Sequence, residues 1–150
     1  MTIYEQSDII LTVDQNGLTY TATPGELRDI YVLPENYRTR ASPIYEFSFL
    51  TTNPLYQNGD MAVIIPTEIE IDPTTITIFP LATVSLNNVI VLTWDSTTRT
   101  LSIDNAFEAD VITPAFVQFR FPTGLSNSNS VEPITPFIIQ THDPAGNIID

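Results

Sequence analysis

The sequence predicts an all-β fold, an antiparallel β-sandwich, on three observations. Helical periodicity is almost absent, Val, Ile, Thr, Tyr and Phe dominate, and 12 prolines interrupt the 150 residues at short intervals. Branched and aromatic side chains suit the pleated, half-buried surface of a sheet. Short runs of them at regular spacing, separated by turn residues, are the pattern of a sandwich. No stretch supplies the helical crossovers that parallel strands need. Antiparallel pairing of immunoglobulin-like or jelly-roll-like type remains.

The expected strands follow in order. The first runs over Ile3–Val13, with Ile3, Ile9, Leu11 and Val13 on one face and Tyr4, Gln6, Asp8 and Thr12 on the other. Asn16-Gly17 supplies two residues that accept positive φ, so a tight hairpin leads into Leu18–Thr23. Further strands are expected at Leu27–Leu33, Ile44–Thr52, Met61–Ile65, Glu68–Ile71 and Thr74–Phe79. Val89–Trp94, Thr100–Ile103, Ala115–Phe121 and Thr135–Thr141 complete the set. Asn58-Gly59, Asp95–Thr98 and Asp143–Gly146 are turns. Asn105–Asp110 is the one candidate for a helical turn. Residues 1–23 are read as an N-terminal strand or hairpin that connects subunits, and 24–150 as the sandwich. At the other end, Asn147–Asp150 opens a new apolar segment after a turn, as if a hairpin lacked its second strand.

Charge narrows the partners. The net charge is -13, there is no lysine, and the five basic residues are Arg28, Arg38, Arg40, Arg99 and Arg120. Nucleic acid and anionic membrane surfaces both need clustered cations and are excluded as partners. No apolar run approaches the ~20 residues of a membrane-spanning helix. Cysteine is absent, which removes thiol catalysis, zinc–thiolate sites and disulfides together. Met1–Asp14 has no basic n-region, so a secreted protein would be represented here by its mature form or by a piece of a longer chain.

Three stretches carry a family resemblance. Phe47–Pro66 reads FSFLTTNPLYQNGDMAVIIP, Thr21–Ile30 reads TATPGELRDI, and the C-terminal part contains FRFPTGLSNSNS and PFIIQTHDPAGNIID. Over roughly Thr21 to Asp150 this resembles a β-sandwich repeat of very large extracellular and cell-surface proteins of ciliates and other protists. The resemblance implies an extracellular or cell-surface domain with a structural role in coats or filaments, tandemly repeated and without catalytic residues. The chain departs from that pattern in showing no second copy of the unit.

Candidate chemical sites are few. His142, the only histidine, lies beside Asp143 in a turn, with no G-x-S-x-G nucleophile elbow in the chain. Glu68 and Glu70 would stand ~7 Å apart on one strand face, a spacing that glycosidase carboxylates share. They alternate with Ile69 and Ile71 as any half-exposed strand would. Asp14–Gly17, Asn58–Asp60 and Asp104–Asp110 are oxygen-rich loops of the kind calcium uses, without EF-hand spacing. No cofactor is therefore expected, calcium being the one candidate ion. Trp94 shares a face with Ile90 and Leu92 and reads as core, whereas Tyr31, Tyr37 and Tyr56 read as surface aromatics. No Asn lies in an N-x-[ST] sequon, so glycans attached here would be O-linked to the Thr- and Ser-rich loops.

The expected function is structural rather than enzymatic: a head-to-tail subunit or repeat of an extracellular filament or coat, whose partner is itself. Its interface is assigned to Ile3, Ile9, Leu11, Val13, Ile148 and Ile149, the first strand of one copy completing the open hairpin of the next. An open sheet edge is a hazard that a neighbour's strand removes. Burying four such side chains at roughly 1.5–3 kcal/mol each is worth on the order of 6–12 kcal/mol gross. The alternative is a stand-alone adhesin-like or carbohydrate-binding module.

Overall fold

The sequence Tyr45-Glu46-Phe47-Ser48-Phe49-Leu50 alternates, and so does its burial: Tyr45, Phe47 and Phe49 point inward while Glu46, Ser48 and Leu50 stay partly exposed. A computed structural model describes residues 2–4, 9–14, 17–22, 24–82, 84–87, 89–112, 115–130 and 134–150. Among them the chain is all-β, with no helix. Its strands are β1 (Thr2–Tyr4), β2 (Ile9–Asp14), β3 (Gly17–Ala22), β4 (Arg28–Pro34), β5 (Tyr45–Leu50), β6 (Asp60–Ile64) and β7 (Glu70–Ile71). They continue as β8 (Thr77–Ala82), β9 (Val91–Asp95), β10 (Thr100–Asp104), β11 (Phe116–Thr123), β12 (Leu125–Ser126) and β13 (Ile138–His142). Two four-stranded antiparallel sheets, ordered β4-β5-β11-β8 and β13-β6-β10-β9, form the body, as in a β-sandwich. A small ladder joins β7 to β12. Strands β1, β2 and β3 make a separate three-stranded sheet.

One core joins the two sheets. Phe47 stacks on Phe119 with ring centroids 5.2 Å apart, and meets Phe121 and Phe137 edge-on. Met61, Val63, Leu101, Ile103 and Ile139 of the opposing sheet belong to the same buried cluster. Leu55, Leu86, Ala106 and Phe107 extend it at the loop end. Offset and edge-on aromatic pairs of this kind add stability beyond the area they bury.

Several local expectations shift. The single strand Ile3–Val13 is two antiparallel strands, with Ile3 opposite Leu11. The second hairpin closes Asp14 onto Gly17, one residue earlier than an Asn16-Gly17 turn centre requires. Asn16 itself lies outside the described residues. The turn after Trp94 has the expected four-residue length, but spans 96–99 because Asp95 pairs with Thr100. Arg99 closes it at φ 55°, and the Asp95 carboxylate accepts from the Thr97 N–H and the Thr98 hydroxyl. Asn105–Asp110 forms no helical turn. The Ala106 amide donates to Gly59 and the Glu108 amide to Ser85, so the segment is tied sideways to other loops rather than to itself.

Arg99 shows how this acidic chain uses its cations. Its Nε donates to the Ile65 carbonyl at 3.0 Å, and one terminal nitrogen donates to the carbonyls of Pro66 and Ile69. The guanidinium also lies 5.6 Å from the centre of the Trp94 ring. Its partners are neutral acceptors and an aromatic face, so it serves as a bracket for the 65–69 turn.

Candidate functional site

Edge strand β4 pairs with β5 alone, and the residues on its inner side cannot all be covered by the core. A groove of ≈ 580 Å³ opens there between the two sheets. Ile30, Val32 and Pro34 of β4 form one wall, and Ile134–Phe137, just before β13, form the other. Tyr37, 75% exposed, stands at the mouth. The floor is Tyr45 and Asn127.

That floor is a satisfied polar pair under an apolar roof. The Tyr45 hydroxyl donates to Asn127 Oδ1 at 2.5 Å, and Asn127 Nδ2 donates to the carbonyls of Asn36 (2.6 Å) and Arg38 (2.8 Å). The Asn127 backbone N–H donates to the Ala41 carbonyl, so one buried asparagine fixes the 36–41 loop beside the groove. Burial pushes the Tyr45 hydroxyl up to about 12 from its ordinary 10.0. A phenol raised in the folded state contributes stability that is complete below pH 10 and lost as pH rises from 10 through 12. Tyr45→Phe should therefore flatten the alkaline fall of the urea midpoint relative to wild type. Parallel curves between pH 9 and 12 would refute that role.

A second constellation ties together the segments that flank the sandwich. Asp150 is 6% exposed, and its Oδ1 accepts from the Thr52 hydroxyl (2.6 Å), the Thr52 amide (3.3 Å) and Asn53 Nδ2 (3.2 Å). Its Oδ2 accepts from the Thr141 hydroxyl at 3.2 Å. All four donors are uncharged. The Gly25 amide donates to the Ile149 carbonyl at 2.7 Å, and Asn53 Nδ2 reaches the same oxygen. Thus Gly25, Thr52–Asn53 and Ile149–Asp150, from three of the stretches quoted from the sequence, meet in one clasp. Nothing in their linear spacing announces this, because residues 25, 52–53 and 149–150 come together only through the fold.

The clasp changes the reading of Asn147–Asp150. The segment is not an open hairpin: Ile148 bridges back to His142, the Ile149 amide donates to Thr141, and the Thr141 amide donates to Asp150. The turn itself is as expected. The Asp143 carboxylate accepts from the amides of Ala145 and Asn147, and Gly146 takes φ 85°. Its bond from the Asn147 side chain, first, holds the Asp143 carboxyl below the usual range.

The assigned interface residues fall in two places. Ile3, Ile9, Leu11 and Val13 belong to the separate sheet, where Ile9 stands opposite Ala22, Leu11 opposite Tyr20 and Val13 opposite Leu18. Ile148 is 44% exposed, while Ile149 is tied by its backbone into the clasp. The remaining candidates disperse. Glu68 lies in the turn before β7, held by the Thr135 amide and hydroxyl, and Glu70 accepts from Asn129. Its own backbone N–H, then the Thr135 hydroxyl, keep the Glu68 carboxyl below the ordinary range. Asp60 accepts from the Asn105 amide and Asp110 from the Gln57 amide, so two carboxylates of the oxygen-rich loops hold loops together. Among the described residues no three His, Asp or Glu side chains are grouped to share an ion. His142 ends β13 opposite Asp60. Tyr31, Tyr37 and Tyr56 are all exposed, but only Tyr37 lines the groove. The chain matches no protein-family model, no curated protein and no solved structure.

Proposed function

We propose that the chain is a structural β-sandwich unit of an extracellular or cell-surface assembly, joined to further copies of itself, with no reaction to catalyse. The observation that carries this reading is the N-terminal sheet. Among the described residues, β1, β2 and β3 pair only with one another and share no ladder with either sheet of the body. In their register Ile3, Ile9, Leu11, Val13, Leu18 and Tyr20 occupy positions of one parity. A sheet with one apolar face is stable when that face is covered by another element. The contact is then made by a small sheet rather than by a single donated strand. A head-to-tail contact of this kind propagates into a fibre unless it closes into a ring. The crossings between the two sheets, from β5 to β6, β8 to β9 and β10 to β11, fit either an immunoglobulin-like or a jelly-roll-like lineage.

Sedimentation velocity and negative-stain microscopy test the reading. The full chain should form concentration-dependent oligomers, and Leu11→Glu should weaken association at least tenfold while leaving the unfolding midpoint of the body unchanged. Losing about 1.5–3 kcal/mol of burial corresponds to that change or more. With a net charge of -13 per copy, association should also strengthen as salt screens repulsion between copies. A monomer at all concentrations and salts would end the proposal. The hydroxyl-bearing mouth of the groove, Tyr37 with Thr39 and Thr135, favours a second reading as a glycan-binding module. Titration of the monomer against a glycan panel separates the two.

A further inference from the structure

We propose that the groove between β4 and residues 134–137 is the receptor for the N-terminal sheet of a second copy. This rests on the self-assembly reading and names its contact. Two copies that each carry -13 can touch closely only through patches free of like charge. None of the residues lining the groove is charged. Across β1, β2 and β3 the only charged residue is Asp14, at the hairpin end.

The inner wall of the groove belongs to β4, an edge strand with one partner, bulged between Arg28 and Tyr31 with Asp29 at φ 48°. An edge strand offers ladder groups as well as side chains to a visitor. The seven-residue β4 matches the six-residue β3, itself an edge of its own sheet. Beside that edge the groove wall is apolar, with Val32, Pro34, Ile134 and Phe137. β3 and β4 are consecutive, yet they form no hairpin, and the Gly25 amide between them is committed to Ile149. β4 therefore keeps an edge that its own β3 does not pair with.

The absence of cysteine makes disulfide trapping a clean test in the full chain. Leu11→Cys and Val13→Cys proteins are each mixed with Ile30→Cys or Ile134→Cys proteins under a mild oxidant. Ile30 and Ile134 are 45% and 39% exposed, so their replacement spares the core. At least one mixture should give covalent heterodimer tenfold above the same mixture made with Ile112→Cys, a site 84% exposed outside the groove. Sedimentation of the unmodified chain is run alongside. If oligomers form but no groove pair cross-links above the control, the groove is not the receptor and the assembly reading survives. If a Leu11→Cys, Ile134→Cys double variant closes only into cross-linked monomer, the sheet covers its own groove and the proposal fails. If the chain does not associate at all, both readings fall together.

Discussion

Gly25→Ala should cost the fold about 1–3 kcal/mol, the range of a steric insertion at a packed site, measured as a lowered urea midpoint at constant slope. A Cβ on Gly25 would sit 2.5 Å from Asp150 Oδ1 and collide with Thr52 Oγ1 and Asn53 Nδ2. Those are ends of side chains, but each is held by the clasp and cannot swing away without giving up its hydrogen bonds. Gly146→Ala is the control. It meets nothing within 4 Å and carries only the penalty of φ 85°, about 1 kcal/mol. The carboxylate can be dissected in the same way. Asp150→Ala strands four donors in a buried place and should cost on the order of 3 kcal/mol. Asp150→Asn keeps an oxygen for Thr52 and Asn53, and its amide faces a Thr141 hydroxyl able to turn and accept, so it should be nearly neutral. A loss for Asn as large as for Ala would mean that the negative charge itself is needed.

The clasp and the groove are connected through β4. The Gly25–Ile149 bond sets where the chain starts toward β4, and β4 supplies the wall that carries Val32 and Pro34. A loosened clasp should therefore weaken self-association as well as stability, although residues 25 and 150 are not in the groove.

The strands were legible in the sequence because they are made by local rules. Period-two alternation located β5, β10 and β11, and Asp143–Gly146 fixed its turn by side-chain bonding within five residues. The helical turn expected at Asn105–Asp110 was wrong for the opposite reason. Its amides bond to residues 59 and 85, and local propensity carries no record of such partners. The same limit hid the candidate site. The groove is assembled from segments near 30, 45, 127 and 135, and its floor pairs Tyr45 with an asparagine that reads as an ordinary polar-loop residue. The long first strand was misread because Ile3 has the same face parity whether it continues toward Ile9 or folds back opposite Leu11.

The largest stability loss is expected for Phe47→Ala. Phe47 is fully buried and touches three other rings, Phe119 at 5.2 Å, Phe121 at 5.2 Å and Phe137 at 5.4 Å. Removing a buried phenylalanine costs about 3–5 kcal/mol, a large share of the roughly 5–15 kcal/mol that holds a domain folded. Phe79 has the same side chain but is 51% exposed on the outer face, where it lies under Arg120 at 4.9 Å. Phe79→Ala should cost no more than about 1 kcal/mol, the worth of an exposed cation–π contact. Because Phe137 leans on Phe47 and also lines the groove, the cavity left by Phe47→Ala opens toward that wall. Phe47→Leu refills much of the volume and separates the two effects. It should recover most of the stability while self-association stays below wild type, because Phe137 loses its edge-on partner. Equal recovery of both would show that the groove does not depend on the ring beneath it.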